Sequence, residues 1–144
     1  MNPFDVLLIE DNEGDVTLVK EAFDLFDYKV NCIIRKDGEK AISYLEGTLT
    51  GRESRFPDLI LLDLNLPRKN GLEVLEFVKT HKTLKVIPTV VFTTSSSEID
   101  ISACYQRHAN CFITKPAEIE SYLEVLQGIQ HFWIEIVRVP SGKN

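Results

Sequence analysis

The sequence has no run of lysine or arginine anywhere in its 144 residues, and acids outnumber bases by 22 to 16. Nonspecific nucleic-acid binding depends on neutralising phosphates with a basic footprint, so a chain of net charge −6 without one is not expected to bind nucleic acid. Long hydrophobic stretches are missing too. No apolar run approaches the roughly 20 residues of a membrane span, and the opening MNPFDVLLIEDNE carries no basic segment ahead of its apolar stretch. A cytoplasmic protein with no membrane partner is expected. Cysteine is scarce: Cys32, Cys104 and Cys111 are odd in number and unevenly spaced, which excludes a disulfide framework and fits a reducing compartment. There is no internal repeat and no low-complexity segment. The length suits one domain over residues 1–144, with a core over 4–138 and a tail at 139–144 in which SGKN is expected to fray.

What is present is an alternation of short apolar runs and amphipathic stretches. Strands are expected at Phe4–Glu10, Val30–Arg35, Leu59–Asp63, Pro88–Thr93 and Cys111–Thr114. Between them, Glu13–Phe26 places Leu18, Val19, Ala22, Leu25 and Phe26 on one helical face. Gly38–Glu46 reads as a short helix, and turn-rich Gly47–Asp58 as a long exposed loop. Gly71–Thr80 is a helix with Val74, Leu75 and Val78 inward. Ser95-Ser96-Ser97-Glu98 has the form of a capping box opening a helix over Ile99–Arg107. A last helix runs from about Glu118 to near Val137, before Pro140. Strands alternating with helices imply an α/β, doubly wound parallel sheet with helices on both faces. Strands covered on both faces read as continuous apolar runs, as these do.

The carboxyl ends of the strands carry the chemistry. Strand one ends in Glu10-Asp11, strand three in Asp63, strand four in Thr93 and strand five in Lys115. Ligands of such sheets bind beyond those ends, where strand order reverses. If the order is 2-1-3-4-5, strands one and three are neighbours and three acids crowd one pocket. Two like charges about 4 Å apart repel by roughly 4 kcal/mol at an effective dielectric near 20. One lysine is too little to offset that, and a hard divalent cation such as Mg²⁺ is the natural completion. The Asn65 backbone carbonyl offers a further oxygen ligand. A carboxylate nucleophile, a cation, a hydroxyl and an ammonium are the parts of a phosphoryl-transfer site.

At this point the sequence resembles the receiver domains of two-component response regulators. IEDN at 9–12, LLDLNLP at 61–67 with Gly71, VVFTT at 90–94 and ITKP at 113–116 match that family's motifs in order. The resemblance implies a flavodoxin-like (βα)5 sandwich of strand order 2-1-3-4-5. It implies that Asp63 takes phosphate from a histidine kinase, and that Glu10, Asp11, Asp63 and the Asn65 carbonyl hold Mg²⁺. Thr93 and Phe112 would be the switch pair, and Lys115 would contact the phosphoryl group ahead of a cis peptide to Pro116. More narrowly, LLDLNLPRKNG, VVFTTSSSEIDI, HANCFITKP and FWIEIVRVP resemble the stand-alone regulators that serve bacterial phytochromes, especially in cyanobacteria. That likeness implies a phytochrome-like kinase partner, a homodimer and no DNA-binding domain. Two positions depart from the broad pattern. Thr94 stands where a smaller residue is common and would narrow access to an acyl phosphate. Phe112 replaces a frequent tyrosine and has no hydroxyl to donate.

Other readings are weaker. A phosphohydrolase of the haloacid-dehalogenase type needs a second acid two residues after the nucleophile, and Asn65 cannot transfer a proton. A degenerate receiver acting as a pure binding module is at odds with the complete set of acids, threonine and lysine. A dinucleotide site is at odds with EDNEGD, which lacks G-x-G-x-x-G. Glu10 and Asp11 taken alone would only cap the next helix. Cys104, His108 and Cys111 have metal-like spacing but lack a fourth ligand and are read as structural. In the closing helix, Ile119, Tyr122, Leu123, Leu126, Ile129, Trp133 and Ile136 form a core-facing band, with Val125, Phe132 and Ile134 beyond it. The excess apolar surface marks a contact site, with Val125, Ile129, Phe132 and Ile136 as candidate dimer residues.

Overall fold

The structure, a computed structural model, describes residues 3–140; the expected fraying of SGKN lies outside them. Five parallel strands make one sheet in the order β2-β1-β3-β4-β5. They are β1 Phe4–Ile9, β2 Val30–Arg35, β3 Leu59–Leu62, β4 Thr89–Thr93 and β5 Cys111–Thr114. The helices are α1 Glu13–Asp24, α2 Gly38–Thr50, α3 Gly71–Thr80, α4 Glu98–Gln106 and α5 Ile119–Gln130. The central strands β1, β3 and β4 are buried along their whole length, whereas the edge strands β2 and β5 are half-buried. This is the flavodoxin-like doubly wound arrangement that the residues and the resemblance implied.

Each apolar run divides its side chains between two cores, because successive residues of a strand face opposite ways. Leu7, Ile9, Ile60, Leu62 and Val91 pack against α2 and α3, through Ala41, Leu45, Val74, Leu75 and Val78. Val6, Leu8, Leu59, Leu61, Val90 and Phe92 pack against α1 and α5, through Val16, Val19, Phe23, Leu126 and Ile129. Burying one such Leu, Ile, Val or Phe side chain contributes about 1.5–3 kcal/mol. A charge introduced on either face of β1 or β3 would therefore enter a core.

Several helix readings need correction. Helix α1 stops at Asp24, two residues early, and its apolar stripe runs through Val16, Val19, Ala22 and Phe23. Leu25, expected on that face, falls past the end of the helix and is 86% exposed. Helix α2 does not stop at Glu46 but continues to Thr50, so the exposed loop is shorter than expected. The stop is Gly51, whose φ of 83° is the left-handed conformation that ends helices. In α4 the cap is Ser97, whose hydroxyl accepts from the Asp100 amide at 3.3 Å; Ser95 instead donates to the Asp100 carboxylate at 2.6 Å. The cap therefore lies two residues later than read, and the Ser97 amide donates to the Ser95 hydroxyl at 3.2 Å, so the expected reciprocal box does not form. Helix α3 has the bounds expected, closed by a reciprocal Asn70–Glu73 capping box.

The closing helix departs most. After Gln130 the hydrogen bonding widens into a π-helical segment, His131–Ile136, closed by a bond from Val137 N to Phe132 O. The wider turn shifts the apolar positions inside it, Phe132 and Ile136 among them. Upstream in α5, Ile129, read into the core band and also as a candidate dimer residue, is 4% exposed and belongs to the core, and Val125 is half-buried against it. Ile119 and Ile136, expected in the core band, are exposed instead, and Phe132 is exposed with them. The peptide to Pro116 is trans, as are all those described. Trans is the intrinsically favoured isomer even before proline.

Candidate functional site

Strand register builds the site. Ile9 lies opposite Leu62, and the Asp63 amide donates to the Ile9 carbonyl at 3.0 Å. Glu10 and Asp63 therefore leave adjacent strands side by side. Asp11 follows Glu10 outward and is exposed, whereas Glu10 and Asp63 are buried. One carboxylate oxygen from each of the three lies within 4.8 Å of the others. Among the described residues this is the one group of three or more acids, histidines or cysteines so gathered. Cys104, His108 and Cys111 do not meet; Cys104 packs in the α2–α3 core, and Cys111 against the opposite one.

Beyond β5 the chain brings Lys115 to the same place. Its amide donates to the Thr93 carbonyl at 2.6 Å, which fixes the backbone there. Its buried ammonium reaches Glu10 Oε1 at 2.5 Å, Asp15 Oδ2 at 3.0 Å and Asp63 Oδ2 at 3.3 Å. Burial disfavours its charge, but these carboxylates outweigh burial and raise its pKa above the ordinary lysine value. Burial also pushes the Glu10 carboxyl up to about 7, against the pull of Lys115 and with the help of Asp63.

The remaining expected residues lie on β4, on β5 and in the loop after β3. Thr93 is fully buried, and its hydroxyl has no hydrogen-bond partner. Buried hydroxyls are nearly always paired, so this one is an exception that calls for an incoming acceptor. Thr94, next to it, is exposed. Phe112 is half-buried against the α2–α3 core, and its amide donates to the Tyr105 hydroxyl at 3.1 Å. The Asn65 amide points at Asp63 Oδ1, at a long 3.4 Å. The loop that carries Asp63 is closely seated. A Cβ on Gly71 would lie 2.4 Å from the Asp63 carbonyl oxygen, and one on Gly38 would lie 1.8 Å from the Lys69 carbonyl oxygen. Only glycine fits at either position without moving backbone.

Two participants were not singled out as site residues from the sequence. Asp15 contacts Lys115, and Tyr122 donates its hydroxyl to Asp15 Oδ1 at 2.5 Å. From its place in the helical pattern Tyr122 reads only as a core residue. A signal for Asp15 did exist. Asn12 caps α1, and an acid three residues later projects back toward the helix start, here toward the site.

The donors are all oxygens, and one ammonium touches three carboxylates, with Asp11 a fourth acid beside Glu10 and Asp63. That set suits a hard divalent cation, which takes carboxylate oxygens and retains waters. Beside it lies an aspartate that can act as a nucleophile, with an ammonium placed to neutralise charge developing on its far side. No helix among the described residues is long and apolar enough to cross a membrane.

Residues 6–127 match the response regulator receiver domain. Response regulator Rcp1 of Synechocystis sp. is 42% identical, over 95% of this chain and 93% of its own. The crystal structure of the phosphorylated cyanobacterial phytochrome response regulator RcpA is 40% identical with a TM-score of 0.93, covering 97% of this chain and 100% of RcpA. The Mn²⁺-bound form of Rcp1 gives a TM-score of 0.91 at 41% identity, covering 96% and 100%. With its five-stranded order, its acidic mouth and these likenesses, the chain belongs to the response regulator receiver domain family of two-component systems.

Proposed function

We propose that this protein accepts a phosphoryl group on Asp63 from the phosphohistidine of a sensor histidine kinase, and that the kinase is phytochrome-like. A carboxylate oxygen of Asp63 attacks phosphorus; the new P–O bond forms as the P–N bond to imidazole breaks, and the imidazole nitrogen keeps the electron pair. Lys115, 3.3 Å from Asp63 Oδ2, is placed to pair with the phosphoryl oxygens. Glu10, Asp11, Asp63 and the Asn65 carbonyl would hold Mg²⁺, whose charge would oppose that of the phosphoryl group. The same residues would admit water for the slower loss of the group, with exposed Thr94 standing at the entrance.

Thr93 then donates its unpaired hydroxyl to a phosphoryl oxygen, and Phe112 turns inward behind it. Phosphorylation adds roughly two negative charges, and the two conformations must differ in their contacts for it to shift their balance. The outer surface near α5 changes as a result. Phe132 and Ile136, 47% and 56% exposed, with half-buried Val125 beside them, form the patch we assign to a homodimer. The three unpaired thiols fit a cytoplasmic location.

The observation that carries this reading is the convergence of Glu10, Asp11, Asp63 and Lys115 on one mouth, with the Thr93 hydroxyl free beside it. The test is labelling by acetyl phosphate with Mg²⁺, read by intact mass. One phosphoryl group per chain is expected, and none in Asp63→Asn. Labelling that survives Asp63→Asn sinks the assignment. Transfer from a panel of histidine kinases then tests the partner.

A further inference from the structure

Lys115 touches one carboxylate that a cation at the mouth would not use. Asp15 touches its ammonium at 3.0 Å but is not among the three acids whose oxygens gather together. It comes from the first turn of α1. Its other oxygen is held by the Tyr122 hydroxyl of α5 at 2.5 Å. Tyr122 is buried, with its ring edge-on to Phe92 at 5.2 Å between centroids, and the Lys115 ammonium lies 5.8 Å from the same Phe92 ring. A packed ring cannot easily swing, so the hydroxyl keeps its aim. Hydroxyl, carboxylate and ammonium thus link α5, α1 and the end of β5.

A divalent cation among Glu10, Asp11 and Asp63 would repel Lys115 and claim its shortest partner, Glu10. A lysine without another counter-ion would either compete for Glu10 or leave the mouth. Asp15 supplies the other counter-ion while Asp63 stays within reach.

We propose that Asp15 is a positioning residue: a counter-ion reserved for Lys115 and aimed by Tyr122, which lets the lysine yield Glu10 to a divalent cation while staying beside Asp63. Its purpose rests on the phosphoryl-acceptor reading above; its test does not. Mn²⁺ affinity is measured by electron paramagnetic resonance on the full chain, without any phosphodonor. Asp15→Asn is expected to weaken Mn²⁺ about tenfold, as loss of an outer partner at a metal site does. In a Lys115→Met background the same change is expected to cost about twofold or less, the screened effect of one more distant charge. That non-additivity reports movement of the lysine, which a purely structural Asp15 would not produce. Asp15→Glu is expected to restore most of the affinity, and Tyr122→Phe, which keeps every charge, to lose about fivefold, the worth of one hydrogen bond. Circular dichroism checks that each variant is folded. Equal losses in both lysine backgrounds, no loss in Asp15→Asn, or no Mn²⁺ binding by the wild-type chain would overturn the proposal. A wild-type chain that shows the coupling but takes no label from acetyl phosphate ends the phosphoryl-acceptor reading and leaves this one standing.

Discussion

Asp63→Asn should stabilise the metal-free protein, although it removes the group on which the proposed chemistry depends. One Asp63 oxygen lies within 4.8 Å of oxygens of both Glu10 and Asp11. At an effective dielectric near 20 each such pair repels by about 3.5 kcal/mol, together about 7 kcal/mol. The Lys115 ammonium, 3.3 Å away, returns about 5 kcal/mol on the same scale. The charge on Asp63 is then unfavourable by about 2 kcal/mol once Glu10 is ionised, that is above pH 7. Asparagine keeps an oxygen to accept from Lys115 and loses the repulsion. In EDTA at about pH 8.5 the Asp63→Asn protein should melt about 6 °C above the wild type by calorimetry. With metal at about 100 times its dissociation constant, the wild type gains about 2.7 kcal/mol and the order reverses. A variant that melts below the wild type in EDTA would refute the reasoning, because the mouth would then hold no unrelieved repulsion.

Four further outcomes are expected. Thr93→Val removes a buried, unpaired hydroxyl at nearly constant shape, so it should raise unphosphorylated stability by about 1 kcal/mol in urea denaturation while suppressing the response to acetyl phosphate. Glu10 binds its proton more tightly when folded, its pKa being about 7 against 4.5, so its contribution to stability is full below pH 4.5 and lost as pH rises through about 7; Glu10→Gln should flatten that part of the melting-temperature profile in EDTA, and identical profiles would count against it. Lys79 donates to the Lys85 and Ile87 carbonyls and to Asn110 Oδ1, so Lys79→Met, which strands those acceptors, should cost about 2 kcal/mol in the same denaturation assay. Leu25→Ser should change stability by less than about 0.5 kcal/mol, whereas Leu126→Ala, at a core position, should cost about 3 kcal/mol.

The strands were legible because burial on both faces leaves a plain mark: continuous apolar runs, each ending in a polar residue. Glu10, Asp63, Thr93 and Lys115 could be placed at one edge from that mark alone. The errors fell where a local signal competed with a longer-range one. Gly47 looked like a helix stop, but the stop needed a left-handed residue, and that residue was Gly51. Leu25 fitted the helical period, yet the helix ended before reaching it. Ile136, read into the core band, is exposed because it lies in a π-helical segment that breaks the 3.6-residue period on which the face assignment depended. Tyr122 was correctly read as a core residue, but its hydroxyl bond to Asp15 spans 107 positions, and no local pattern encodes such a pair.

The close approaches at Gly38 and Gly71 make the mouth lopsided. Under Asp63, the loops after β2 and β3 lie backbone against backbone with no room for even a methyl group. Across from it, the end of β4 carries a hydroxyl with spare bonding capacity and an exposed neighbour. On the proposed reading the mouth would work like a vise with one fixed jaw: the seat of the aspartate would stay still, and any stroke would be taken up on the side of Thr93 and Phe112.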